Sequence, residues 1–133
     1  MTTFAPIAIS PQGSTLRRVL AVDAATCAGM GALLTAATRP LAGLLGLPSD
    51  LLFWSGVSLF PIAVLMGRIA TRPAMPRAGV GFVIAGNVGW VVGSAVVLFA
   101  TSPSALGYAF VLAQAAVVGI LAELEYVGLR KAG

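Results

Sequence analysis

Asp23, Asn87, Gln114 and Glu123 are strongly polar side chains set inside long apolar runs, and Arg68 closes another such run. A charge at the centre of a membrane helix costs about 2.5–3.5 kcal/mol on insertion scales, so such groups pair with one another or handle a polar ligand. Counted inward at about 1.5 Å per residue, Asn87 and Gln114 fall near the middle of the third and fourth runs. Asp23 lies one to two turns inside the first run, and Glu123 and Glu125 are at comparable depth or shallower. Every run thus offers a member to a polar cluster of Asp23, Asn87, Gln114, Glu123 and Arg68.

Two readings of the cluster are open. In one it is a site for a proton, a cation or a polar head group, with Asp23 and Glu123 titrating and Asn87 and Gln114 as neutral hydrogen-bonders. In the other it is structural: Asn87 pairs with Gln114 across two helices for about 0.6 kcal/mol, and Asp23 or Glu123 anchors to Arg68 or reaches the interface. Direction refines both. Gln114 and Glu125 are about three helical turns apart and share a face, whereas Glu123 points nearly opposite, along a row of small residues. Glu123, deeper and beside that row, is the expected buried glutamate. Glu125 with Tyr126 is expected at the head groups.

Asp23, Thr26, Cys27 and Met30 share one face of the first run. One thiol and one thioether without histidine make a poor soft-metal site, so this face reads as packing. Trp90 follows Asn87 by one turn, either filling the interior or walling a cavity to which Thr26 and Pro61 also contribute. Pro61 should free the carbonyl of Val57, with Ser55 and Ser58 near enough to help satisfy it. The chain has no histidine and one cysteine, which removes the commonest metal ligand and any intrachain disulfide. It shows no phosphate-binding glycine loop, dinucleotide fingerprint or nucleophile elbow. No catalytic residue, metal or cofactor is expected, and Asp23 with Glu123 lacks the nucleophile an enzyme assignment needs.

The elements that must position these groups follow from composition. Hydrophobic residues make up 59% of the 133 and charged residues 9%, far more apolar than a soluble domain. The apolar runs near 19–38, 51–68, 78–100 and 104–127 each approach the roughly 20 residues needed to cross a bilayer. The expectation is an all-α integral membrane protein, an up-down-up-down four-helix bundle in one transmembrane domain, residues 16–131, after a flexible tail, residues 1–15. Arg17, Arg18, Arg68, Arg72, Arg77, Arg130 and Lys131 fall on one side of the breaks and only Arg39 on the other. The positive-inside rule then places both termini in the cytoplasm. It also explains the net charge of +4 without nucleic acid. The first run resembles a secretory signal, but its length and its internal Asp23 argue that it is retained.

Pro40 is expected to stop the first helix, and the apolar connection over 39–50 to form a short helical turn in the outer interface. In the connection over 101–104, Ser102 is placed to cap the fourth helix and Pro103 to occupy its first position. Gly81, Ala85, Gly89 and Gly93 recur at every fourth residue, a ridge for close backbone packing inside the bundle or between copies. Ala105, Ala109, Ala116 and Gly119 form a second ridge and Ala28, Ala32 and Ala36 a third.

The segments Leu44–Leu45–Gly46–Leu47–Pro48, Asn87–Val88–Gly89–Trp90, Gln114–Ala115 and Ala122–Glu123–Leu124–Glu125–Tyr126 resemble those of small four-span inner-membrane proteins of bacteria that carry no assigned activity. The resemblance runs from Arg17 onward and implies topology and a bacterial inner-membrane location, not a reaction. The small multidrug-resistance exporters are similar in size and span number, but their mid-helix glutamate in the first span has no counterpart here, Asp23 being shallower. The function expected is therefore a non-enzymatic accessory or ligand-holding bundle that self-associates or docks on other membrane helices. The alternative is a small proton- or cation-coupled transporter or channel using Asp23 and Glu123.

Overall fold

The computed structural model describes residues 8–9 and 14–132. Its elements are β1 (Ala8–Ile9), α1 (Ser14–Ala36), α2 (Thr38–Leu45), α3 (Ser49–Thr71), β2 (Met75–Pro76), α4 (Arg77–Ala100) and α5 (Ala105–Ala132). Four of the helices, α1, α3, α4 and α5, are long and apolar enough to cross a membrane, with spans of 22, 23, 24 and 27 residues. Of the expected tail, residues 1–7 and 10–13 lie outside the described residues. Ala8 and Ile9 pair antiparallel with Pro76 and Met75.

The breaks have local causes. The first long helix ends at Ala36, before Pro40. Pro40 instead stands in the first turn of α2, where a missing N–H loses no helical bond. The short outer helix expected over 39–50 is thus α2. It closes at Gly46, whose φ of 66° gives a left-handed cap with its N–H bonded to the Ala42 carbonyl at 3.0 Å, the conformation glycine adopts without a Cβ penalty. The helix α3 runs unbroken past Pro61. Ser58 Oγ donates to the Ser55 carbonyl at 2.7 Å, not to that of Val57.

The cap of α5 differs from the expectation. Ser104, not Ser102, accepts the Gly107 N–H at 3.0 Å, because α5 starts at Ala105 and the N-cap side chain reaches the third helical N–H. The same residue joins the α4–α5 turn to α2: its N–H donates to the Leu45 carbonyl at 3.0 Å and its Oγ to that of Leu44 at 2.7 Å. Carbonyls orphaned at the end of α2 are thereby satisfied.

Packing makes two tight pairs, α1 with α3 and α4 with α5. A narrower contact between α1 and α5 joins them, and α3 and α4 barely meet. Where α1 crosses α3, a Cβ on Gly31 would stand 3.0 Å from the Gly56 carbonyl oxygen and one on Gly56 2.8 Å from Leu34 Cβ. The basic end is tied by arginines. Arg17 donates to the carbonyls of Ala70, Arg72 and Pro73 at the end of α3, where the helix dipole favours a cation, and Arg77 donates to Leu129 in α5 at 3.2 Å. Buried Leu16 lies against Gly128.

The small-residue ridges are not where the chain packs on itself. Gly81, Gly89 and Gly93 have nothing within 4 Å of an added Cβ, and Ala85, Ala28, Ala32, Ala36, Ala105, Ala109 and Ala116 are all exposed. A four-residue repeat advances about 400° on a helix and so drifts off the inward stripe. That stripe on α4 runs Val80, Val83, Asn87, Ser94. Gly119 alone approaches a neighbour, 3.9 Å from Val91 Cγ2.

Gly107→Ala should therefore lower the unfolding midpoint in detergent, because its Cβ would strike the Leu45 carbonyl oxygen. The expected loss is about 1–3 kcal/mol, typical of overpacking. Gly89→Ala should leave the midpoint unchanged or raise it, since helical glycine is about 1 kcal/mol less favourable than alanine. Equal effects at the two positions would contradict the packing described.

Candidate functional site

The polar groups collect in two layers. At the layer nearer the basic end, Asn87 Nδ2 donates to Asp23 Oδ2 at 2.6 Å and to Glu125 Oε1 at 2.9 Å. One amide from α4 thus bridges carboxylates from α1 and α5. Cys27, one turn along α1, points its Sγ at Asp23 Oδ1 at 3.7 Å. Asp23 is 1% exposed, Glu125 0% and Asn87 5%, so the layer is closed from solvent. Glu125 Oε2 is buried and has no hydrogen-bond partner among the described residues.

In the second layer Trp90 Nε1 donates to Gln114 Oε1 at 2.7 Å, and Gln114 Nε2 donates to Ser94 Oγ and to the Val111 carbonyl, both at 2.9 Å. Ser94 Oγ returns to the Trp90 carbonyl at 2.8 Å. Every polar atom of these three side chains has a partner, which suits a half-buried wall between α4 and α5.

Several expectations are corrected. Asn87 does not pair with Gln114: Asn87 takes the acids and Gln114 takes Trp90 and Ser94. Glu123 is exposed, and Glu125 is the buried glutamate. Glu125 falls on the stripe that carries Val111, Gln114 and Leu121, and Glu123 is rotated about 160° from it at 100° per residue. The shared face of Gln114 and Glu125 was thus a sound signal, and the small-residue row beside Glu123 pointed to the wrong face. Arg68 is exposed and stands outside the cluster, because the inward stripe of α3 carries Leu59, Met66, Ile69 and Ala70. Ser94 and the carbonyl-binding arginines Arg17 and Arg77 have no periodic signature that sequence alone would pick out.

A cavity of about 420 Å³ opens where α3 and α4 fail to close, lined by all four long helices. Asp23, Thr26, Cys27, Asn87, Trp90 and Gln114 all stand on its wall. The rest of the wall is aliphatic and aromatic, including Ile62, Met66, Phe82 and Val117. Pro61 is not on the wall; its neighbour Ile62 is. A second cavity of about 340 Å³ shares Met30, Trp90, Phe110 and Gln114 with the first and continues past Gly89 and Gly93. The open glycine ridge therefore borders space. Among the described residues no group of three His, Cys, Asp or Glu side chains could hold a metal ion.

Losing the amide that holds the buried acids should matter far more than altering the exposed glutamate. Asn87→Leu, which strips both acids of their donor, should destabilise by about 1.5–3 kcal/mol, the worth of a hydrogen bond to a charged group. Glu123→Gln should stay within about 0.5 kcal/mol, as surface substitutions do. Chemical unfolding in mixed micelles measures both, and comparable losses would reject a buried Asn87 bridge beside an exposed Glu123.

The site has to be interpreted from its own side chains, because comparison with family models, with curated proteins and with solved structures returns no match.

Proposed function

We propose that this chain is a multi-pass membrane protein that holds an elongated apolar ligand between its two helix pairs, taken up from the lipid phase through the gap between α3 and α4. In this reading the four long helices form an up-down-up-down bundle in the inner membrane of a bacterium, with both termini cytoplasmic. Support for insertion comes from large apolar side chains exposed along every long helix, among them Val22, Val64, Phe82 and Leu112. Contiguous apolar exposure of that extent marks contact with lipid or protein. Support for the orientation comes from the gathering of Arg17, Arg72, Arg77 and Arg130 at one end, where the anionic inner leaflet would meet them. Trp54, 64% exposed and edge-on to Phe53 at 5.1 Å, and Tyr126, under the Arg130 guanidinium at 5.7 Å, suit the two interfaces.

The single observation that carries the ligand-holding reading is the cavity lined by all four long helices. Its volume of about 420 Å³ lies within the roughly 300–1,000 Å³ of small-molecule sites. Predominantly apolar walls with a few convergent polar groups are the usual make-up of such sites. A second reading, proton or cation coupling, is favoured by the buried acid pair, with Glu125 in the role first given to Glu123. Self-association is favoured by the open Gly81, Ala85, Gly89 and Gly93 face, which lets another backbone come close.

Gly86 lines the larger cavity, and a Cβ there meets nothing within 4 Å. Gly86→Leu should therefore fold normally while filling the space. Saturable binding of a fluorescent alkyl-chain probe in phosphatidylcholine nanodiscs should fall by about tenfold or more. Binding undiminished in a folded Gly86→Leu protein would exclude this cavity as the ligand site.

A further inference from the structure

We propose that copies of this chain assemble side by side in the bilayer, Glu123 on the outer face of α5 in one copy pairing with Arg68 on the outer face of α3 in the next. The inference rests on the membrane-insertion part of the proposed function and is independent of any ligand.

Both charges point away from the bundle. Glu123 stands two residues from Glu125 and Arg68 two from Met66, side chains that are 0% and 1% exposed. Two residues turn a helix by about 200°, so each charge lies on the side opposite the interior, and both are exposed. The faces around them are apolar: Ile120, Leu124 and Val127 are exposed beside Glu123, and Val64 and Leu65 beside Arg68. A charge on such a face of a membrane helix seldom meets lipid and is found with a partner. The copy itself offers none. No residue three or four positions from Glu123 is basic and none three or four from Arg68 is acidic, so neither has a helical neighbour that would pair it. Arg77 is engaged on the Leu129 carbonyl and Arg17 on carbonyls at the end of α3. Arg130, two turns from Glu123, lies over the Tyr126 ring.

Depth matches as well. Leu16 lies against Gly128 and Arg17 beside it reaches the Ala70 carbonyl, which sets Gly128 and Ala70 at neighbouring levels. Glu123 is five residues deeper than Gly128 and Arg68 two deeper than Ala70, about 7.5 and 3 Å at the helical rise. Side chains lean toward the N-terminus of their own helix, and α3 and α5 both run toward the basic end. Arg68 therefore leans into the membrane, and its long stem covers the difference. Between apolar faces the attraction of the two charges is strong, and guanidinium and carboxylate match as a bidentate pair.

A second copy is the occupant that answers both charges at once. An anionic lipid would neutralise Arg68 and leave Glu123 unpaired, and the glycine ridge on α4 offers backbone approach but no charge. Because α1 lies between α3 and α5 and packs on both, the two faces are on different sides of the bundle. The contact is therefore heterologous, and it builds rings or rows instead of two-fold dimers. It forms between copies, so the unfolding of chains dispersed singly in micelles leaves it out.

The test is resonance energy transfer between donor- and acceptor-labelled copies of the full chain in phosphatidylcholine vesicles, over a range of protein-to-lipid ratios. The unsubstituted chain should show transfer above random encounter. Glu123→Arg and Arg68→Glu should each weaken association by about tenfold or more, and the double variant should restore it. A mixture of the two single variants should also associate, since each then meets an opposite charge on its neighbour. A pair formed within one copy would be rescued by the double variant alone. Single reversals that associate as well as the unsubstituted chain overturn the proposal, as does a mixture that stays apart. Transfer lost in Gly89→Leu but kept in the reversals overturns it in favour of a contact through α4. Where a reversal does not fold, Glu123→Gln and Arg68→Gln take its place and should weaken association in the same direction. An inserted chain that gives only random transfer overturns this proposal alone, whereas a chain that alkaline carbonate strips from the vesicles removes the membrane reading beneath it.

Discussion

Asn87 donates from one amide nitrogen to carboxylates on two other helices, and none of the three side chains has solvent to fall back on. Polar groups withdrawn from water are costly when unpaired and valuable when satisfied, so this bridge constrains which faces of α1, α4 and α5 turn inward. Once Asn87 faces Asp23 and Glu125, the periodicity of α4 brings Trp90 and Ser94 to the same side. That of α5 brings Gln114 there to meet them. The second polar layer is a consequence of the first, carried along two helices by their common repeat.

Close backbone contact does a different job. Gly31 with Gly56 lets α1 and α3 approach, and Gly107 lets the start of α5 reach the end of α2. Gly86, Gly89 and Gly93 on α4 have no neighbour within 4 Å of an added Cβ and border open space. The chain thus uses the same residue type to bring helices together and to keep a void beside them, and only the neighbour across the gap distinguishes the two. Tight pairs joined along one seam, with the facing seam open, is an arrangement in which a cavity reaches the outer surface without a helix having to break.

The electrostatics of the two ends differ in kind. At the basic end, arginines satisfy backbone carbonyls at helix ends, a role that needs charge and reach but no buried partner. In the interior, acids are held by a neutral amide. With the cations on carbonyls, the side chains that meet the two acids are the Asn87 amide and the Cys27 thiol.

Much of this was legible before folding. Apolar run length and the scarcity of charge determine four long helices, since backbone polar groups in apolar surroundings must be satisfied within the segment. The apolar connection with Gly46 and Pro48 read as a short helix, and Asp23, Asn87, Gln114 and Trp90 stood out as polar groups too deep to be ornamental. Which of them meet was decided by tertiary structure. A helical repeat specifies faces only relative to one another, so Gln114 and Glu125 were known to share a side, but the inward side was set by what α1 and α4 offered. A four-residue row of small side chains looks the same whether it faces a helix or a void, and that is why the glycine ridge and Glu123 pointed outward. Sequence determined the elements and their relative faces; the absolute rotation of each helix, and with it the acid pair and the cavity, came from satisfying buried polar groups across three helices at once.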